Sequence, residues 1–326
     1  MSSLKPIASL SLDLDNQWTY LKVHGDSGWE TFPSYLDVLA PRVLDFLASR
    51  NLLITFFIVG QDAALKKNHA SLKSISAAGH DLGNHSFSHE PWFHLYDRPR
   101  IESEIALAEE HIADISGTRP LGFRGPGFSF SGTALDVLVN RGYLYDASTL
   151  PTFIGPLARL YYLGHSALTP SEREDRRLLF GSFREGFRSL APYRWKRGKG
   201  LLEIPVTTMP LLRVPIHFSY LLYLSVFSAA LALAYFRAAL NLCRIFGLSP
   251  SLLLHPLDFL GADDRVGLDF FPAMQLTATQ KRKLLSEMIN MFCDQFRVTS
   301  LKEHANTISG QDCKTLIATY PVLRLH

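Results

Sequence analysis

Strand-length apolar runs that end in a polar residue capable of chemistry constrain this chain more than any other feature. They are "IASLSLDLD" (7–15), "LLITFFIVG" (52–60), "HDLGNHSF" (80–87), "LGFRGPG" (121–127), "YLYDAS" (143–148), "LLEIPVT" (201–207), "SLLLHP" (251–256) and "FRVTSL" (296–301). Segments of helical period lie between them, near residues 35–50, 62–78, 98–116, 131–141 and 277–294. Such alternation is the pattern of parallel strands joined by crossover helices, which makes the chain an α/β protein. Asp13 and Asp15, His85, Arg124, Asp146 and His255 each fall at or just past the C-terminal end of a strand. That is the rim on which barrels of alternating strands and helices gather their reactive groups. The expectation is a closed or nearly closed, deformed (β/α) barrel of seven or eight strands.

With 326 residues, 47% of them apolar, the chain can bury a large core. No internal repeat or low-complexity linker divides it, so one barrel is expected over residues 1–305, with a tail at 306–326. A net charge of +3 without basic-aromatic alternation argues against nucleic acid as a partner. Cys243, Cys293 and Cys313 are too few and too far apart for a disulfide framework or a cysteine-rich zinc site, and they fit a reducing compartment. The opening "MSSLKPIASLSLDLD" holds no apolar run of signal-peptide length. A cytoplasmic protein is expected.

Three histidines crowd "GHDLGNHSFSHEPW" (79–92): His80, His85 and His89. The last two are four residues apart, so both imidazoles can face one cation if the backbone turns helical directly after the strand. Zinc accepts histidine nitrogen and carboxylate oxygen, and a catalytic zinc keeps three protein ligands and one open place. A carboxylate is the natural third ligand. "SLDLDNQW" offers Asp13 and Asp15, whose i, i+2 spacing sends both side chains the same way from an extended strand. A histidine pair or an acid-x-acid triplet is common by chance, so the order of motifs along the chain has to decide.

In order, the chain gives "SLDLDNQW", "GHDLGNHSFSHEPW", "FRGPGF", "YDAS" and "LLLHP". This order resembles the polysaccharide deacetylase family, also called the NodB-homology family or carbohydrate esterase family four. Its motifs are an acidic pair ending the first strand, H-[ST]-x-x-H, R-x-P, an acidic motif and a final L-x-x-H. "HSFSH", "RGP" and "LLLH" fit the second, third and fifth, and the resemblance spans residues 8–256 and extends to about 305. It implies hydrolysis of a carbon–nitrogen amide on an N-acylated amino sugar through one divalent metal. By that resemblance Asp15, His85 and His89 look like the metal ligands, and Asp13 like the base that takes a proton from water. Arg124 looks like the arginine that holds this base ionised and aimed. His255 resembles the general acid, and Asp146 the group that tunes it. Each has a plainer reading: Asp13 as a second ligand or helix cap, Arg124 as a rim ion pair, His255 as a satisfied core histidine, Asp146 as a structural carboxylate. Zinc is expected first, and the ligand set also suits cobalt, nickel, manganese or iron. Two departures stand out. The first motif reads D-L-D, similar to the branch acting on small or lipid-linked substrates, and the fourth lacks the tryptophan usual a few residues after its aspartate.

His80 and Asn84 are expected to support the ligand-bearing strand and Asp258 to cap a loop; His24, His94 and His111 carry no motif. Residues 216–236, "IHFSYLLYLSVFSAALALAYF", contain no Lys, Arg, Asp or Glu and reach transmembrane length. A crossing there would put "LLEIPVT" and "SLLLHP" on opposite sides of a bilayer, and the barrel could not close. An apolar helix over 216–240 is expected instead, either buried or dipping into one leaflet. The insertion before it, residues 155–200, carries ten Lys or Arg against four Asp or Glu, a net charge of +6. A basic stretch beside an apolar one is what an anionic membrane surface selects, and the pairing suggests a lipid-linked glycan as substrate. The rival readings are hydrolysis of a small non-sugar amide, such as a cyclic ureide, at the same site, and a non-catalytic glycolipid-binding barrel.

Overall fold

The computed structural model describes residues 5–155, 183–196 and 200–309. Its strands are β1 (Ile7–Leu14), β2 (Thr55–Ile58), β3 (Asp81–Asn84), β4 (Gly122–Phe123), β5 (Tyr145–Asp146), β6 (Tyr193–Arg194), β7 (Leu202–Glu203), β8 (Ser251–Leu254) and β9 (Arg297–Thr299). β1 organises them because both of its faces are buried. Ala8, Leu10, Leu12 and Leu14 join the main apolar core, whereas the alternating Ser9, Ser11 and Asp13, with Asp15 beyond the strand, are buried polar groups on the other side.

The sheet runs β6-β7-β5-β4-β3-β2-β1-β8, with β9 paired to the start of β1, and every pairing is parallel except β6 on β7. The path curls until its two sides meet. Just past β7, Thr207 N–H donates to Ser251 O on β8 at 2.9 Å, and Ser251 N–H donates to Thr207 Oγ1 at 2.8 Å. A deformed (β/α) barrel is the outcome, as the alternation of strands and helices required. The short strands β4, β5 and β7 occupy only two residues each of the longer runs expected.

The covering helices are α1 (Gln17–His24), α2 (Leu36–Ala48), α3 (Gly60–Ala64), α4 (His69–Ala77), α5 (Arg98–Ser116), α6 (Gly132–Asn140), α7 (Phe218–Phe227), α8 (Ala229–Ile245), α9 (Ala278–Gln295) and α10 (Leu301–Ser309). α5 shows how local sequence sets such an element. Asp97 accepts from Arg100 N–H at 3.1 Å at its start, Pro99 fits the first turn, and Gly117 at φ +71° ends it.

Three expectations need correction. The helix expected over 62–78 is split into α3 and α4, because Asn68 turns back and donates to Asp62 Oδ1 at 2.9 Å. The apolar helix expected over 216–240 is two helices. Ser228 lies extended between them at φ −161°, and its side chain accepts from Leu231 N–H as the cap of α8. Among the described residues no helix is long and apolar enough to cross a membrane. Finally, α10 continues to Ser309, past the boundary expected at 305, because Leu301, His304 and Ala305 are buried and His304 Nδ1 meets Ser9 Oγ at 2.9 Å. The rest of the tail, and residues 156–182 and 197–199 of the basic insertion, lie outside the described residues. The described part of the insertion supplies the edge strand β6.

Beneath the rim, Asp62 ties α1 to α3. Its Oδ1 accepts from Asn16 Nδ2 (2.7 Å), Trp18 Nε1 (3.1 Å) and Asn68 Nδ2 (2.9 Å), while Oδ2 is buried without a hydrogen-bond partner. Burial pushes the carboxyl up to about 7 from its ordinary 3.8. The folded chain therefore keeps a proton there that the unfolded chain gives up. The stabilisation is complete below about pH 4 and is lost, at about 1.4 kcal/mol per pH unit, as pH rises toward about 7. Asp62→Asn keeps the accepting oxygen and cannot ionise, so in thermal melts it should gain on the wild type between about pH 5 and about pH 8. Parallel pH profiles for the two proteins would refute this account.

Candidate active site

The loop after β3 decides where the histidine pair goes, and it does not turn helical as the spacing suggested. Residues 85–90 are irregular, with Ser86 at φ +62° and His89 at φ +52°, left-handed conformations that a side chain adopts only under restraint. The restraint comes from outside the loop. Glu104 on α5, itself buried, accepts from Phe87 N–H (3.0 Å), Ser88 N–H (2.8 Å) and Ser88 Oγ (2.7 Å). Lys22 on α1 reaches Ser88 O (3.1 Å) and Glu90 (2.6 Å). Neither Glu104 nor Lys22 stands out in the sequence. Asn84, expected to support the strand, accepts from Ser86 N–H and donates to Ile105 O and Tyr143 Oη; His80 Nδ1 accepts from Ile54 N–H.

Held this way, the rings converge with the end of β1. His89 Nε2 lies 2.9 Å and His85 Nε2 3.4 Å from Asp15 Oδ1. His85 Nδ1 lies 2.6 Å from Arg124 O, which places its proton on that nitrogen and leaves the Nε2 lone pair aimed at the carboxylates. One ligand atom from each of Asp15, His85 and His89 falls within 4.8 Å of the others. Asp15 Oδ1 and His89 Nε2 are buried and have no well-formed hydrogen bond. Unsatisfied buried donors and acceptors aimed at one point, in a two-imidazole, one-carboxylate set, fit a divalent cation. The electrostatics agree. Burial would raise Asp15, but the charge of His89 and the close approach of both imidazoles hold it far below the usual carboxylate range. Burial would lower His85, but Asp13 and Asp15 lift it, so in the absence of metal a proton stands in for the cation.

Asp13 stands beside this trio. Its Oδ1 accepts from Arg124 Nη1 at 2.6 Å, and its Oδ2 lies 4.0 Å from His85 Nε2. Arg124 is fully buried; it also donates to Ser11 Oγ (2.8 Å) and to Ala147 O (3.0 Å), and it lies over the Phe57 ring at 4.3 Å.

His255 emerges at the end of β8, half-buried, on the other side of β1 from the histidine pair. Its Nδ1 meets Ser219 Oγ at 2.9 Å; that hydroxyl donates onward to Asp258 Oδ1 at 2.9 Å, and Asp258 Oδ2 accepts from His255 N–H at 2.7 Å. Asp258 caps its turn as expected, and through Ser219 it also orients the imidazole. Asp146, expected to tune His255, has other partners: Ser148 Oγ donates to it at 2.5 Å, and it shares a buried pocket with Glu203. Burial pushes Asp146 up to about 6 and Glu203 well above its ordinary value. The tuning position at His255 is filled instead by Ser219 from the first turn of α7, where the sequence showed only an apolar run.

Two more groups escaped the sequence reading. His217, buried, has its ring 6.0 Å from that of His255; burial and the charges of His255 and Arg124 hold it down to about 3, so it is neutral at physiological pH. Burial and the charges of Asp15, Tyr35, Asp258 and Asp13 keep the Tyr20 hydroxyl protonated well above its ordinary range, and its ring packs edge-on against Phe271 at 5.3 Å. His24 and His94 sit apart, on Asp26 and Ser129, and the His111 ring packs near Phe87.

The trio can be tested without substrate. His89→Ala should abolish stoichiometric zinc binding in calorimetry, and Glu104→Ala, which frees the loop, should weaken it about 10- to 100-fold. Undiminished zinc affinity in His89→Ala would dismantle the site.

Residues 25–145 match the polysaccharide deacetylase family model. The match includes His85, His89 and Arg124, while Asp13, Asp15 and His255 lie outside it and join them through the fold. A peptidoglycan deacetylase of Helicobacter pylori is 29% identical over 114 residues, 35% of this chain and 38% of that protein. A peptidoglycan-N-acetylmuramic acid deacetylase of Bacillus subtilis is 32% identical over 110 residues, 33% of this chain and 41% of that protein. The matches thus span about two fifths of these relatives' lengths. For the fold, a Mycobacterium smegmatis structure assigned to the polysaccharide deacetylases superposes with a TM-score of 0.62 at 19% identity, covering 98% of this chain and 100% of that one. A PuuE allantoinase superposes with a TM-score of 0.59 at 16% identity, covering 97% and 94%. Residues 25–145 thus resemble a polysaccharide deacetylase domain, and the chain as a whole has the deformed barrel fold of the NodB-homology type.

Proposed function

We propose that the chain removes an N-acyl group, acetyl or formyl, from an amino sugar by metal-assisted hydrolysis of the amide. The observation that carries this reading is the convergence of Asp15, His85 and His89 beside an Asp13 that is held by Arg124 and left out of the trio. The relatives described as peptidoglycan deacetylases support an N-acylated sugar as substrate.

Asp15, His85 and His89 would hold a divalent cation, zinc first and cobalt, nickel, manganese or iron as alternatives, which would supply Lewis acidity toward the acyl oxygen and water. Arg124 occupies Asp13 Oδ1, so Oδ2 is the atom left to take the proton from the attacking water. His255 acts from across β1 and delivers a proton to the amine nitrogen as the carbon–nitrogen bond breaks. With the Ser219 hydroxyl proton committed to Asp258, Ser219 Oγ accepts from His255 Nδ1–H, and Nε2 is the nitrogen that faces the substrate. Neutral His217, whose ring packs beside His255, adds an uncharged donor there. Cys243 and Cys293, free thiols, support a cytoplasmic setting.

Two substitutions separate the roles. Asp13→Asn should keep zinc and lower turnover of an N-acetylated chitooligosaccharide by about 100-fold or more, read as released acetate; full activity in this variant would exclude Asp13 as the base. Ser219→Ala, which removes the acceptor that fixes the His255 ring, should lower kcat by about tenfold with KM and melting temperature unchanged. An unchanged kcat, or a fall in kcat that tracks a fall in melting temperature, would reduce Ser219 to packing.

A further inference from the structure

The connection that leaves β7, residues 204–217, rises from the rim that carries Asp15, His89 and His255, since β7 runs parallel to β5. It doubles back: Thr208 bridges Pro215, Met209 N–H donates to Val214 O, and Arg213 N–H donates to Met209 O, each of these two bonds 2.8 Å long. At its tip Leu211 (φ +71°) and Arg213 (φ +56°) are left-handed, a conformation that leucine and arginine adopt against their preference. The outcome is that Leu211 and Leu212 stand in solvent, 70% and 63% exposed. A turn strained so as to hold two leucines away from the core is built to meet something.

Its surroundings share that character. The Arg213 guanidinium donates to Arg188 O at 2.8 Å, which sets the tip against the turn Phe183–Phe187, where both phenylalanines are exposed. On the other flank, Tyr235 Oη donates to Pro215 O at 3.2 Å, so α8 lies alongside; Leu231, one turn earlier, and Phe227, at the elbow before α8, are also exposed. The described residues around the tip are basic: Arg184, Arg188 and Arg213 stand against one carboxylate, Glu185, and Arg184 is exposed.

We propose that the Leu211–Leu212 tip, with the exposed phenylalanines and basic residues around it, docks the barrel rim on an anionic lipid bilayer, and that the amino sugar reaches the site on a lipid anchor. A second copy of the chain would bring the same basic surface against itself, and a soluble acidic polymer would leave the apolar tip without a partner; an anionic bilayer satisfies both features. The inference rests on the amide-hydrolase reading only for its substrate, since docking is read without turnover.

The test is flotation of the full chain with phosphatidylglycerol-containing vesicles and with pure phosphatidylcholine vesicles. The wild type should partition at least about tenfold more strongly onto the former, less so at high salt. Leu211→Asp with Leu212→Asp should lose at least about tenfold of that partition while keeping its melting temperature and its activity on a soluble N-acetylated oligosaccharide. Absence of flotation, equal flotation of the double variant, or a concentration-dependent dimer abolished by the same variant would overturn the proposal. Flotation without deacetylase activity would retain the docking surface and remove the hydrolase reading instead.

Discussion

A fully buried guanidinium is the constraint on which the interior of this barrel depends. Arg124 sits where water cannot reach it, so its charge must be met by the protein, and the penalty for an unmet buried charge is several kcal/mol. Asp13 and Ser11 of β1 and the carbonyl of Ala147 past β5 meet it, while its own carbonyl accepts from His85. One side chain and one carbonyl thereby fix the ends of β1, β3, β4 and β5 relative to one another. The ligand trio is a by-product of that arrangement: once His85 is held at Nδ1 and Asp13 is turned toward Arg124, Nε2 and Asp15 have only each other and His89 to face.

The same interior treats its carboxyl groups in opposite ways. Asp15 is surrounded by imidazoles and stays ionised, whereas Asp146 and Glu203, buried together, are both driven toward the protonated form. Two like charges in one dry pocket cannot both persist, and Thr149 and Trp195 satisfy Glu203 with neutral donors. Environment rather than residue type thus separates a carboxylate fit for a cation from a pair that serves as hydrogen-bonded structure.

What the sequence made legible was whatever depends on near neighbours. The alternation S-L-S-L-D-L-D states that β1 has an apolar face and a polar face, and the resemblance carried by the order of the motifs pointed to Asp15, His85 and His89 as a trio. What escaped depends on contacts between distant segments. Glu104 acts on the histidine loop from α5, Ser219 reaches His255 across 36 positions, and Asp146 meets Glu203 only through the register of β5 on β7. The break at Ser228 was hidden for another reason. A serine within an apolar run reads as a tolerated helical residue until its hydroxyl is seen capping the next helix.

β1 is completed by strands from the far end of the chain: β8 begins more than 240 residues after Ser9, and β9 follows it to the start of β1. During synthesis β1 therefore has one flank unpaired until β8 has been made. Pairings this remote close slowly, because the loop entropy is lost before the contact is gained. The aspartates at the end of β1 are consequently translated before the strands that flank them and are among the last groups locked in place, so a chain cut short before β8 would keep Asp13, Asp15, His85 and His89 in its sequence and still lack the wall against which they are aligned.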